Sequence, residues 1–427
     1  MLRSVLRARS LRYWSLRYNH TQPLPPYYPK QISQTCITAS PQPTNDLVPS
    51  DGYFQPHPNP NDHIVVAMSS GVDSSVCAAL YSKYSHVHGI YMANWSQSSQ
   101  CTERDWKDVQ TVCSALGIPC ERLNFEREYW NDVFQPMLEK YSSGLTPNPD
   151  VGCNKFVKFG KLVDVLEQRY KGKKWWLVTG HYARVMKKRD DEYHLLRGLS
   201  TRKDQSYYLS SIPSSVLPRL ILPMGHMLKE DTRGLAKQYH LHVSTKPDSQ
   251  GLCFVDPQHG NFRDFLSEYI ECTPGEVVTE DGKVWGFHKG LWHATIGQKS
   301  SISMPQGDPQ YKGVWFVAEK NIEKNQLVIV RGHDHPKLYK SKVEVVDCEW
   351  VYDWEKVKEI NLEELQFQYH SLTKATPIKK LSVIQENGQK LKIELMKPVR
   401  AMAPGQQGVL YRGHQVLGGG MISKTEE

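Results

Sequence analysis

Residues Ile64 to Val76 read Ile-Val-Val-Ala-Met-Ser-Ser-Gly-Val-Asp-Ser-Ser-Val: an apolar run, small hydroxyl residues with one glycine and one acid, then a helix-compatible stretch. The apolar run predicts a buried strand and the residues after Gly71 a helix. Small side chains let backbone N–H groups approach an anion, and a helix start aims its positive end at the same point. The string therefore predicts a phosphate cradle. The other common phosphate loop, G-x-x-x-x-G-K-[ST], carries a lysine for the outer phosphates and occurs nowhere in the chain. Ser-x-Gly-x-Asp-Ser-Ser after a first strand points to chemistry that releases pyrophosphate and leaves AMP on the substrate. A capped serine-rich turn with no ligand is the alternative.

Two cysteines stand in unusual company. In Thr146-Pro147-Asn148-Pro149-Asp150-Val151-Gly152-Cys153-Asn154, two prolines and a glycine predict a loop with no helix before about Asn154, so Cys153 stands near a helix start. A helix N-terminus lowers a thiol pKa and raises its reactivity. Asp150, three residues earlier, would push the other way if close in space. The reading that reconciles them makes Asp150 a general acid or base for the substrate, with Lys155 or the helix end tempering Cys153. A structural Asp and Cys in a loop is the plain alternative. The second thiol, Cys253, follows a turn of Asp248, Ser249, Gln250 and Gly251, whereas Cys77, Cys113, Cys272 and Cys348 read as small core hydrophobes. With nine cysteines, no C-x-x-C pair and no histidine cluster, the chain predicts neither a structural zinc site nor a disulfide scaffold.

Elements must hold these groups. Strands are expected over 63–69, 86–92, 120–125 and 175–179, with helices near 73–84, 102–116, 126–142 and 154–171. This alternation predicts a parallel sheet covered on both faces, with ligands at the carboxyl ends of its strands. After about residue 260 the texture changes to short alternating segments, among them Gly275 to Val278, Gly313 to Val317, Gln326 to Val330, Val343 to Val346 and Lys390 to Leu395. These predict β-barrel or sandwich character, with a seam at His335-Pro336 dividing two small β domains.

At 427 residues the chain exceeds the size of a single core, so two or three domains are expected. No run approaches the roughly 18 apolar residues of a membrane span, which predicts a soluble protein. The first 45 residues carry Arg3, Arg7, Arg9, Arg12, Arg17 and Lys30 and no acid. With Leu2, Val5, Leu6, Leu11, Trp14 and Leu16 they resemble a mitochondrial transit peptide, a basic RNA-binding arm being the competing reading. Removing those six cations from the formal +8 leaves +2, so nucleic-acid binding by the remainder must come from local patches. Ten prolines between 21 and 60 predict an extended linker, with folding from near Asp62. The expected division is 1–61 transit peptide and linker, 62–258 catalytic domain, 259–335 central β domain and 336–424 C-terminal barrel.

The phosphate loop, the Asn-Pro-Asp-x-x-Cys loop and the Asp-Ser-Gln-Gly-x-Cys-Phe turn together resemble the tRNA-specific 2-thiouridylase family. The resemblance runs from about 62 to 422. It includes Gly89-Ile90-Tyr91-Met92 with Trp95, Thr179-Gly180-His181-Tyr182-Ala183-Arg184, Lys203-Asp204-Gln205-Ser206-Tyr207, Thr295-Ile296-Gly297-Gln298, Pro404-Gly405-Gln406 and Leu417-Gly418-Gly419-Gly420. It implies an α/β N-terminal domain of the adenine-nucleotide hydrolase kind followed by two mainly β domains.

The activity implied is ATP-dependent 2-thiolation of the wobble uridine of mitochondrial tRNAs. Carried over, Ala67, Met68, Ser69, Ser70, Gly71, Val72, Asp73 and Ser74 hold the phosphates of ATP, Asp73 through Mg²⁺, while Met92 and Gly180 line the adenine pocket. Sulfur arrives as a persulfide on Cys253, supplied by a sulfur-relay protein or a cysteine desulfurase. Cys153 then attacks to leave a Cys153 to Cys253 disulfide, or assists release. Asn148, Pro149 and Asp150 meet the flipped base. Lys203, Asp204 and Gln205 match a tRNA contact, and Gln368 with Tyr369 stands where the barrel's Arg-Tyr pair grips the anticodon arm. Lys155, Lys158 and Lys161 at i, i+3 and i+6 suggest a strip tracking the RNA backbone or a solvated face.

Three departures stand out: Ser70 replaces a glycine and is strained if that position needs positive φ, Gln368 removes a charge, and Lys299-Ser300-Ser301 replaces a basic run. Rival readings are an ATP-pyrophosphatase ligase for a small molecule and a non-catalytic tRNA-binding protein. An iron–sulfur cluster on the two thiols and Asp150 is a further alternative to persulfide relay.

Overall fold

The computed structural model describes residues 52–95, 99–248 and 262–427. The transit-peptide reading and Cys253 lie outside the described residues. Strand β1 is a two-residue piece, Tyr53–Phe54. Strands β2 (His63–Met68), β3 (Val87–Ala93), β4 (Cys120–Asn124) and β5 (Trp175–Val178) follow where apolar runs call for them, then a hairpin β6 (Ala183–Lys188) and β7 (Tyr193–Arg197), and β8 (Leu220–Ile221). Strands β4-β3-β2-β5-β8 form a parallel sheet in that order. Val65 packs into one core with Ile90 and Leu177, while Ile64 and Val66 pack into another on the opposite face. This is the both-faces burial that turns a parallel strand into a continuous apolar run.

Helices Val72–Tyr81 and Ser99–Leu116 match expectation closely. The third expected helix is continuous from Glu126 to Ser142 with a π-helical turn at Trp130–Phe134. The fourth differs in a way that matters. It starts at Pro149, not near Asn154: Asn148 is the N-cap, its side-chain oxygen accepting the Asp150 N–H at 3.1 Å, and Pro149 opens the first turn. Proline is well suited to that position, because its missing N–H would be unsatisfied anyway and its φ is already helical. The proline expected to exclude helix begins one. Residues Cys153–Lys161 then run as a π-helix before α-helix resumes over Leu162–Arg169.

The four strands β9 (Gly275–Val278), β10 (Val284–His288), β11 (Trp315–Asn321) and β12 (Gln326–Arg331) form the central sheet, in order β10-β9-β12-β11. The last six strands are β13 (Tyr339–Trp350), β14 (Leu365–Gln368), β15 (Thr376–Gln385), β16 (Lys390–Arg400), β17 (Gln407–Arg412) and β18 (Gln415–Glu426). Their order, β18-β13-β16-β15-β14-β17, closes through the β17–β18 pairing into an antiparallel barrel.

Two features cross the expected boundaries. The hairpin β6–β7, inside the stretch assigned to the catalytic domain, joins the barrel's sheet by pairing β7 with β18 at Leu196 and Gln415. Ordered structure also begins before Asp62: β1 pairs with β6, the Tyr53 hydroxyl meets His194 Nδ1 at 2.6 Å, and His226 Nε2 lies 2.9 Å from Gln55 Oε1. Prolines 56, 58 and 60 keep the following residues out of a ladder, but the two residues ahead of them retain their N–H donors and form an edge strand.

Candidate active site

The loop after β2 is knitted by its own serines. Ser74 Oγ donates to the Ser69 carbonyl at 2.9 Å and accepts the Ser69 N–H at 3.0 Å, and Ser75 Oγ donates to the Gly71 carbonyl at 2.8 Å. Ser74 and Ser75 are buried, so the loop's shape is set internally and does not depend on a ligand. Ser70 is not among the residues with positive φ, which removes the strain expected there. Gly71 itself sits at φ −83°, an ordinary value. The first N–H groups of the helix Val72–Tyr81 lack intrahelical acceptors by construction, the arrangement that suits a helix start to an anion.

The loop after β5 lies against it. A Cβ on Gly180 would stand 2.9 Å from the Ser74 nitrogen and 3.0 Å from Asp73 Cβ, so the two loops approach this closely only because residue 180 is glycine. His181 is half-buried beside Phe159; desolvation, with Lys158 nearby, pushes its imidazole down to about 3, and Thr179 Oγ1 holds its Nδ1 at 2.7 Å. It is neutral at any physiological pH.

Asp73 does not stand alone. Its Oδ1 accepts from the Tyr182 hydroxyl at 2.9 Å and from Lys229 Nζ at 2.6 Å. Lys229 also lies 3.0 Å from Asp248 Oδ1, and Asp248 further receives Arg233 at 2.7 Å and Lys203 at 2.7 Å. These cations outweigh the cost of partial burial and hold the Asp248 carboxyl down to about 2. Asp248 immediately precedes the segment that contains Cys253.

Lys229 was not singled out in the sequence, yet a signal was there. It is the first residue of the helix Lys229–Gln238, where a cation opposes the helix dipole. A charge of the wrong sign at a helix start points to a tertiary partner. For Mg²⁺, Asp73 offers one carboxylate, already engaged through Oδ1, and no cluster of three His, Cys, Asp or Glu converges among the described residues. Such a set fits only an ion held chiefly by substrate phosphates.

Cys153 is 5% exposed and packs in one apolar cluster with Trp95, Val157 and Phe159, against which Ala67 of β2 and Met92 of β3 also pack. Asp150, one turn earlier, is half-buried; burial pushes its carboxyl above the usual range while Lys158 pulls it back. Asn154, 2% exposed, donates to the Tyr208 carbonyl at 3.0 Å. The lysine strip is not a strip. A π-helix bonds i→i+5 and so does not align i, i+3 and i+6. Lys155 instead pairs with Glu349 of the barrel at 2.6 Å, and Lys158 faces Asp150 and His181.

The stretch leading into this helix is fastened from two sides. From the barrel, the Pro404 carbonyl accepts the Thr146 N–H at 3.0 Å, and Gln406 Nε2 donates to the Thr146 carbonyl at 2.5 Å. Gly405, at φ +94°, lies so close that a Cβ would meet the Thr146 nitrogen at 2.4 Å. From the central sheet, Lys320 Nζ donates to the Gly144 carbonyl at 2.9 Å and to Thr146 Oγ1 at 3.1 Å.

No carboxylate among the described residues pairs with Lys320, and burial holds its amine down to about 7. Between about pH 7 and 10.5 the unfolded chain therefore binds more protons than the folded one. Stability arising from Lys320 rises with pH across that window and is lowest below it. Lys320→Met is expected to flatten this rise in the urea midpoint measured from pH 7 to 10. An unchanged pH slope would contradict the assignment.

The structure departs most from expectation at the RNA-contact residues. Gln368 is 1% exposed: its Oε1 accepts from Arg197 at 2.7 Å and its Nε2 donates to the His370 carbonyl at 2.9 Å. Asp204 is buried, paired with Arg197 at 2.9 Å and accepting the Gly198 N–H and the Ser206 N–H and hydroxyl. Gln205 Oε1 accepts the Tyr182 N–H at 2.9 Å. Gln368 and Asp204 therefore hold the hairpin β6–β7 on the barrel and present no edge to RNA, because their polar atoms are consumed internally. Lys203, 42% exposed, and the partly buried Tyr369 remain at the surface. Asn148 and Pro149 build the helix start that carries Asp150.

Three family models match in series: the tRNA methyl transferase HUP domain over 62–257, the tRNA methyl transferase PRC-barrel domain over 263–331 and the aminomethyltransferase beta-barrel domain over 340–422. The chain is 48% identical over 383 residues to the mitochondrial tRNA-specific 2-thiouridylase 1 of Saccharomyces cerevisiae, covering 85% of this chain and 92% of that one. It is 38% identical over 397 residues to the protein of the same name in Schizosaccharomyces pombe, covering 87% and 94%. To the tRNA-specific 2-thiouridylase MnmA of Lactiplantibacillus plantarum it is 38% identical over 367 residues, covering 85% and 95%. With these identities spread over nearly the whole of each relative, and with the phosphate loop, Asp150 and Cys153 arranged around one sheet, the chain belongs to the tRNA-specific 2-thiouridylase family.

Proposed function

We propose that the protein is an ATP-dependent tRNA-uridine 2-sulfurtransferase that replaces the C2 oxygen of the wobble uridine of mitochondrial tRNAs by sulfur. Oxide is a poor leaving group, so the oxygen must be activated first. The C2 oxygen attacks the α-phosphorus of ATP and pyrophosphate departs, the loop N–H groups and the helix start stabilising the charge that develops. The terminal sulfur of a persulfide on Cys253 adds to C2 and AMP leaves with the oxygen. Attack of the Cys153 thiolate on the inner sulfur then breaks the S–S bond, leaving the thiocarbonyl on the base and a Cys153 to Cys253 disulfide for later reduction.

The observation that carries this reading is the single cluster shared by Ala67, Met92 and Cys153, with Asp150 one turn away. Ala67 and Met92, near the carboxyl ends of β2 and β3, pack against the same extended core that includes Cys153, which supports sulfur transfer on that side of the sheet. Asp150, held above the usual carboxylate range, is suited to pass a proton at the base. Met92 and Gly180 line the adenine side, and Mg²⁺ accompanies the phosphates beside Asp73. Lys203 and Tyr369 contact tRNA, with Asn148 and Pro149 shaping the pocket for the flipped base.

The acid-free, arginine-rich first 45 residues and the mitochondrial relatives support import into the mitochondrial matrix, with 1–61 as leader and linker, 62–258 as catalytic domain, 259–335 as central domain and 336–424 as the RNA-gripping barrel. Among the described residues no helix is long and apolar enough to cross a membrane. A cysteine desulfurase or a sulfur-relay protein supplies the persulfide.

Release of AMP and pyrophosphate by the purified chain, with ATP, Mg²⁺ and a persulfide donor, is expected to depend on unmodified tRNA. Equal AMP formation with a small carboxylate in place of tRNA would favour the ligase reading.

A further inference from the structure

The phosphate loop contains no cation: Ile64 to Val76 holds neither Lys nor Arg. Chemistry that expels pyrophosphate develops negative charge on the leaving group, and in other phosphate loops a lysine within the motif meets it. Here an ammonium reaches the loop from a distant helix. Lys229, 156 positions from Asp73, places Nζ 2.6 Å from Asp73 Oδ1 and is 11% exposed.

We propose that Lys229 is a catalytic residue of the activation step, moving from Asp73 and Asp248 onto the phosphates of the bound nucleotide and neutralising pyrophosphate as it leaves. This rests on the proposed function and adds a residue to it.

Three observations carry the assignment. The first is redundancy. Without Lys229, Asp73 keeps the Tyr182 hydroxyl at 2.9 Å and Asp248 keeps Arg233 and Lys203, each at 2.7 Å. Lys229 can therefore turn to a ligand while each carboxylate keeps a hydrogen-bond donor, Asp73 a neutral hydroxyl and Asp248 two cations, and a half-buried charge left with no donor at all is the usual obstacle to such a move. The second is charge. Lys203, Lys229 and Arg233 face Asp73 and Asp248, so the cluster carries one surplus positive charge beside the loop. The third is placement. A lysine at the first position of a helix is disfavoured by the dipole, so the local sequence does not explain it. Its Nζ also lies over the Tyr182 ring, 5.5 Å from the ring centre, beside the hydroxyl that donates to Asp73.

A strut that merely ties Asp73 to Asp248 would be the structural role, and the test separates the two. Lys229→Met removes the charge at similar length; Lys229→Arg keeps it. In the full chain with tRNA and ATP, Lys229→Met is expected to lower kcat for AMP formation about 100-fold or more, the scale of losing one donor to developing charge. Inorganic pyrophosphate, the probe, should inhibit it at least about tenfold more weakly, as expected when a charged contact to a phosphate is lost. Lys229→Arg should retain turnover within about tenfold, together with pyrophosphate inhibition. Lys229→Met with kcat within about threefold of wild type, or with pyrophosphate inhibition unchanged whatever its kcat, would overturn the proposal. Absence of tRNA-dependent AMP formation in the wild type would instead overturn the proposed function.

Discussion

Cys153→Ala is expected to reduce 2-thiouridine formation by at least about 10³-fold, the range seen when a reacting nucleophile is removed, while pyrophosphate release and tRNA affinity stay near wild type. The thiol is 5% exposed and sits inside an apolar cluster, so the substitution deletes one sulfur from a packed environment and leaves the rest of the helix start intact. Asn148 still caps, Pro149 still opens the turn, and Thr146 remains fastened by Gln406 and Lys320. What is lost, on the proposed mechanism, is the thiol that splits the persulfide. Cys253→Ala should give the same chemical phenotype from the other side of the transfer, again with pyrophosphate released. On the proposed mechanism activation precedes sulfur entry and uses neither thiol, which makes the pattern diagnostic. Normal 2-thiouridine from either variant, measured on purified tRNA, would exclude a relay through both cysteines.

Gly180→Ala is the second large effect, and it acts on the opposite half of the reaction. The added Cβ would meet the Ser74 nitrogen at 2.9 Å and the Asp73 carbonyl carbon at 3.1 Å. Both are backbone atoms of a loop locked by Ser69 and Ser74, so the neighbour cannot swing aside as a flexible side chain would. A displacement of a few tenths of an ångström would move the N–H groups that face the phosphates. Misplacement on the scale of an ångström costs about 10²-fold, and a loss of that order in kcat/KM for ATP is expected, with KM raised. Gly234→Ala is the control: nothing lies within 4 Å of its position, it is inside the helix that carries Lys229, and the change should add about 0.5–1 kcal/mol of stability with activity retained. ATP kinetics for Gly180→Ala indistinguishable from that control would remove the phosphate loop from its assigned role.

The parts of this architecture that were legible in the sequence are those written in local periodicity. Strands β2, β3 and β5 are largely apolar runs buried on both faces, β4 is a half-buried edge strand, and the boundaries of all four lie within a residue or two of expectation. The small-residue loop between β2 and the helix Val72–Tyr81 was legible because an apolar run, a glycine and a helix-compatible stretch follow one another in the sequence.

What was not legible depends on tertiary partners. The hairpin β6–β7 carries no mark saying that it pairs with β18 and not with the parallel sheet; that choice is made by Gln415 and by Arg197 reaching Gln368. The same packing turned Gln368 from an expected RNA contact into an internal tie. Pro149 looks like a helix breaker in the sequence because position within the first turn, which makes proline favourable, is invisible until the cap at Asn148 is known. The π-helix at Cys153–Lys161 dissolved the lysine strip, since an i, i+3, i+6 pattern assumes an α-helix. Lys229 and Lys320 share one lesson: each is a lysine placed against its local electrostatic interest, the first at a helix start and the second half-buried with no carboxylate partner among the described residues. Residues that break a local rule mark the junctions on which a site depends.

The central claim is that this chain puts sulfur on C2 of the wobble uridine. Mass spectrometry of nucleosides from mitochondrial tRNA of cells lacking the protein tests it most directly. 2-Thiouridine at that position is expected to be lost, and restored by the wild-type chain but not by Cys153→Ala; undiminished 2-thiouridine in the cells lacking the protein would show that another protein places the sulfur.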